Sequence, residues 1–190
     1  YPTLGGFDQM TAMVGGFWDS MLSEGRRWWI TANSDSHLHY TEGGIDFWPG
    51  EYSKTYVLAR RNHADVIDGI RNGRVFVTTG DLVSELFVTV KAGLQEAGIG
   101  GELVVDTDET VTVEIRFKEP STPNASGDKP DVGRVDLIVG EVSGRHEDPA
   151  TDRSPGTRVV KRFLTWTSES DLQVMSFPLK VTRPVYLRVR

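Results

Sequence analysis

Two hydrophobic periods divide the chain. From Asp8 to Glu24 the apolar residues Met10, Met13, Val14, Phe17, Trp18, Met21 and Leu22 fall at the i, i+3, i+4, i+7 spacing of a helix that buries one face. Gly15-Gly16 interrupts this stripe, predicting one broken helix or two short ones, and Gly25 stands where a helix stops. The run Trp28-Trp29-Ile30-Thr31-Ala32 then reads as a strand buried on both faces. Thr41 to Tyr52 is rich in Gly, aromatic and turn residues and reads as a long loop of the functional or disordered kind. Thr55 to Ala59 predicts a short strand. Asn62 opens a helix with Val66, Ile67 and Ile70 on one face, Gly73 closes it, and Arg74 to Thr78 predicts another strand.

From about Ser84 the period becomes two. Val111, Val113, Ile115 and Phe117 alternate with Thr112, Glu114, Arg116 and Lys118, the pattern of a strand with one buried face. Leu86 to Val90, Val135 to Val139, Val159 to Trp166, Leu172 to Phe177 and Val185 to Val189 repeat the theme. Short strands separated by turns predict an antiparallel β-sandwich. Two inserts, Glu119 to Val132 and Ser143 to Thr157, are rich in Pro, Ser, Gly, Asp and Arg, and are expected to be mobile surface loops. The expected division is residues 1–83, mixed α/β, and residues 84–190, all β.

Composition narrows the function classes. No stretch approaches the roughly 20 apolar residues of a membrane-spanning helix, and no targeting pattern is visible. A formal net charge of −6 argues against nonspecific nucleic-acid binding. With no cysteine, thiol chemistry, disulfides and Cys-ligated zinc are excluded. The start at Tyr1-Pro2-Thr3 and the end within an alternating strand pattern lead us to expect an excised segment of a longer protein.

The chemistry concentrates in Asn33-Ser34-Asp35-Ser36-His37-Leu38-His39, directly after the apolar run. Asp35 and His37 are two apart, so in extended chain they project from one face. A carboxylate with a neutral imidazole suits Zn, Mn or Fe, and the carboxylate can bridge two ions. The bland alternative is a turn in which Asp35 bonds its own backbone. An amidohydrolase-type barrel opening on His37-Leu38-His39 would need many more metal-binding residues, and only His63 and His146 follow.

The segment Ser34-Asp35-Ser36-His37 resembles the last metal motif of the polymerase-and-histidinol-phosphatase (PHP) phosphoesterases. The resemblance extends to the helix Trp18 to Gly25, to Trp48-Pro49-Gly50-Glu51-Tyr52 through Val57, and to Ala64 through Gly80. It is nearest the carbaryl-hydrolase-like branch and covers roughly residues 15–90. It implies the C-terminal part of a distorted (β/α)7 PHP barrel, followed by the antiparallel β-sandwich. It further implies a multinuclear cluster of divalent metal ions and attack by metal-activated water on a small-molecule phosphoester or related ester. Asp35 and His37 carry over as metal ligands, and His39 as a possible site-lining residue. The family's earlier ligands have no counterpart before Asp35, so a missing N-terminal barrel segment or another chain must supply them. The rival expectation is a non-catalytic β-sandwich binding or accessory module carrying a relic of the metal motif.

Overall fold

Val111, Val113, Ile115 and Phe117 are at most 2% exposed, because the strand that carries them lies at the centre of a sheet and turns its apolar face inward. A computed structural model describes residues 3–4, 7–34, 49–51 and 53–190, with side chains from Met10 onward. Two short strands, β1 (Thr3–Leu4) and β2 (Phe7–Asp8), pair with each other and lead into α1 (Gln9–Ala12) and α2 (Phe17–Ser23). The helical stripe is thus broken at Gly15-Gly16 as its pattern predicts, and α2 ends at Gly25, whose φ of 82° is the left-handed conformation glycine favours. Next come β3 (Ser53–Val57), α3 (His63–Arg71) and β4 (Val75–Thr79). Asn62 caps α3 by accepting the amide of Asp65 at 2.9 Å. β3 and β4 pair antiparallel and stack Tyr56 on Phe76.

The remaining strands are β5 (Glu85–Ala92), β6 (Gln95–Ala97), β7 (Glu109–Lys118), β8 (Val135–Glu141), β9 (Arg158–Phe163), β10 (Thr167–Glu169), β11 (Leu172–Val181) and β12 (Val185–Val189). They form a five-stranded sheet in the order β10-β11-β7-β5-β6 and a three-stranded sheet in the order β12-β8-β9. Val135, Leu137 and Phe163 from the smaller sheet join Val111 to Phe117 and Met175 from the larger in one apolar cluster. The two sheets therefore share a core, as a sandwich requires. All pairings among the described residues are antiparallel.

The smaller sheet is covered on its other face too. β8 is buried at six consecutive positions, Val135 to Gly140. Val135 and Leu137 face the shared core while Ile138, 0% exposed, lies on the α2 side. That is why β8 lacks the polar alternation of β7.

Three expectations are corrected. Trp28 to Ala32 forms no ladder with the described residues and is held by side chains instead; Trp28 is 46% exposed, with Arg26 over its ring. The insert Ser143 to Thr157 lies at the surface as expected but is anchored at points: Ser154 and Thr157 are buried, and the Ser154 amide donates to the Gly15 carbonyl. The strand expected to reach Trp166 stops at Phe163, and Trp166 turns back to meet Phe117 edge-on at 5.2 Å.

Candidate functional site

The approach to the Asp35 motif is fastened from three elements. The Trp18 indole of α2 donates to the Trp28 carbonyl at 3.0 Å, and the Trp29 indole donates to the Arg71 carbonyl at the end of α3 at 3.1 Å. The Trp29 ring lies against Gly73, whose φ is 67°; a Cβ there would enter the ring. β3 completes the grip. The Thr55 hydroxyl accepts the Ala32 amide at 2.8 Å and donates to the Ala32 carbonyl at 2.9 Å, while the Ser53 hydroxyl donates to the Asn33 carbonyl. Two side-chain hydroxyls of one strand thus do for residues 32 and 33 what a ladder would do, and fix the chain just before Asp35.

Asp35, His37 and His39 themselves lie outside the described residues. Among the described residues, no group of three or more His, Asp or Glu side chains is placed to hold a metal. His63 is exposed at the start of α3. His146, in the insert expected to be a mobile surface loop, is built into the helix contact. Its ring Nε2 lies 3.1 Å from the Ser23 hydroxyl and 3.3 Å from the Ser20 carbonyl, and its amide donates to Glu24. The Ser23 hydroxyl donates back to the Ser20 carbonyl at 2.7 Å and is 2% exposed, so this Ser–His pair fastens a loop and offers no nucleophile to solvent. Arg26, reinforced by the His146 amide, holds the Glu24 carboxyl below its ordinary range.

A charged layer lies between α1–α2 and the outer face of the smaller sheet. Arg188 binds Asp19, and both are buried. Asp136, 0% exposed, faces three arginines: Arg162 at 2.8 Å, Arg190 at 3.3 Å and Arg134 at 3.4 Å. Burial pushes the Asp136 carboxyl up, but hydrogen bonds from Arg162 and Arg190 and the charges of Arg134 and Arg162 outweigh it and leave it below 3.8. The Tyr186 hydroxyl lies 2.6 Å from Thr157 and donates to the Asp19 carbonyl; burial, followed by the Asp19 charge, drives its pKa well above 10.

A cleft of about 1150 Å³ opens between the two sheets, β4 and the segment 98–107. Its walls include Leu86, Val88, Leu103, Val105, Leu187 and Val189, with Arg134 and Arg190 also lining it. No family model, curated protein or solved structure matches the chain.

Proposed function

We propose that the chain is the C-terminal portion of a PHP-type metal-dependent hydrolase acting on a phosphoester or related ester. Asp35 and His37 serve as ligands to divalent Zn, Mn or Fe ions, and His39 lines the site. The observation that carries this reading is the double tether of Thr55 and Ser53 on Ala32 and Asn33. A backbone held at adjacent residues immediately before a carboxylate and an imidazole suits a site whose donors must be preorganised. The donor chemistry fits a hard or borderline divalent ion. When bound, the ions would supply Lewis-acid polarisation and an activated water. Two or three donors do not complete a multinuclear site, so on this reading the others come from a preceding barrel segment or another chain.

The test is metal content and turnover of a complete protein bearing Asp35→Ala or His37→Ala, assayed with 4-nitrophenyl phosphate and its carboxylic ester analogue. Joint loss of bound metal and turnover is expected. Retention of both in each variant overturns the assignment.

A further inference from the structure

Among the described residues β12 is an edge strand, paired only with β8. Asp136 and Arg190 exchange both backbone hydrogen bonds, at 2.6 and 3.0 Å. Antiparallel ladders alternate bonded and non-bonded pairs, so Arg188 and Tyr186 also bond to β8. The N–H and C=O groups of Val185, Leu187 and Val189 therefore point to the free edge. β4 stands in the same position. The Leu58 amide donates to the Arg74 carbonyl at 2.9 Å, which puts Arg74, Phe76 and Thr78 in the bonded register with the β3 side. The backbone groups of Val75, Val77 and Thr79 are left facing away from it.

Both edges border the cleft. Every residue from Val185 to Arg190 lines it, and so does every residue from Val75 to Thr79. A hollow beneath one face of a strand touches alternate residues; one that touches all of them runs along the strand's edge. The cleft thus combines two rows of main-chain donors and acceptors without partners among the described residues, apolar walls, and a concentration of positive charge at one end. There Arg134 and Arg190 line it, and with Arg162 they share the single carboxylate of Asp136, three guanidinium groups to one carboxylate; Glu102 and Asp106 also line the cleft, Glu102 paired with Arg27.

We propose that this cleft takes an extended polypeptide segment of a partner protein as an added strand. That segment is apolar at alternate positions and carries an acidic side chain that meets Arg134 and Arg190. The main chain of such a segment satisfies the edge groups, its apolar side chains fill the walls, and its carboxylate answers the surplus charge; a small apolar ligand would leave the edges and the arginines unanswered. The proposal stands apart from the metal reading and survives its failure.

The probes are two synthetic peptides of alternating valine and threonine, about seven residues long to match an edge of this size, with aspartate either first or last. Each is titrated calorimetrically into the full chain. Saturable one-to-one binding of one orientation is expected. Methylation of the peptide's alternate backbone nitrogens should weaken it about tenfold or more, and asparagine for aspartate, or Arg134→Gln in the protein, should weaken it severalfold. Arg134 has a half-exposed side chain, and the peptide changes leave the protein fold untouched. Absence of saturable binding by both peptides overturns the proposal, as does equal binding of the methylated form. Indifference to both the asparagine and Arg134→Gln changes removes the acidic group. Sedimentation showing the free chain already paired through this cleft replaces the partner with a second copy and overturns it too.

Discussion

Arg188 grips Asp19 at two points, its Nε donating to Oδ1 and its Nη2 to Oδ2, both at 2.7 Å, across 169 residues of sequence. Asp19 also accepts the Gly15 amide at 2.7 Å, and the Arg188 guanidinium stacks over the Trp18 ring. Helix α2 is thereby bolted to β12 through a pair of charges with almost no access to water. Among the described residues neither charge has a second ion-pair partner to fall back on.

Removing either partner leaves the other buried and uncompensated. Asp19→Ala and Arg188→Ala should each lose about 3–5 kcal/mol of stability, while a paired apolar replacement, Asp19→Leu with Arg188→Met, should lose far less. Urea midpoints of the four proteins decide this. Single variants within about 0.5 kcal/mol of the parent, the level of an ordinary surface change, would show that water reaches the pair.

Asp136 gives a pH signature. Its folded-state pKa lies below its ordinary value, so the stability it contributes is complete above that value, about 3.9 in an unfolded chain, and is lost as pH falls through the folded pKa. Stability measured from pH 5 down to pH 2.5 should fall with a slope that Asp136→Asn makes shallower. An unchanged slope in the variant would assign the acid loss to other carboxylates.

The tether on the approach to Asp35 has its own readout. Thr55→Val removes both the acceptor for the Ala32 amide and the donor to its carbonyl without changing side-chain shape much. Hydrogen exchange of the Ala32 amide should accelerate about tenfold or more, the loss of one to two hydrogen bonds' worth of protection. Unaltered exchange would mean that Trp29 and Ser53 alone hold the segment.

Gly73 is the tightest point of that approach. Alanine there would take a left-handed φ, at a cost of about 1–2 kcal/mol, and would push its methyl into the Trp29 ring, adding about 1–3 kcal/mol of overpacking. A lowered urea midpoint together with a shifted tryptophan emission is expected. A midpoint shift without an emission change would place the cost in the backbone alone.

Where the chain follows a simple rule, its pattern read correctly. The alternation at Val111 to Phe117 became β7, Val185 to Val189 became β12 with those same bounds, and Asn62 and Gly73 framed α3. The rule failed where polar residues were buried. Arg188 alternates with Leu187 and Val189, which in a sheet with one wet face would put it in water; a helix 169 positions away covers it instead. Ser154 and Thr157 carry loop composition but are buried against Gly15 and Tyr186. The Trp28 to Ala32 run has strand composition yet forms no ladder with any described strand. The proposed metal ligands Asp35 and His37 were suggested by residue chemistry alone and lie outside the described residues, whereas the cleft left no sign in the sequence, because a strand edge belongs to topology and leaves no mark in residue type.

The burial of β8 on both faces also sets an order of assembly. One cover of that strand comes from α2, and a key fastening of that cover, Arg188, lies 169 residues after Asp19. During synthesis the helix must wait with its apolar stripe uncovered until β12 has been made. Contacts of such long sequence separation form slowly because the loop must close before they reward it. Helix α2 is therefore in need of shelter from a chaperone during that interval, and its capture by the wrong surface would trap the chain before β12 arrives.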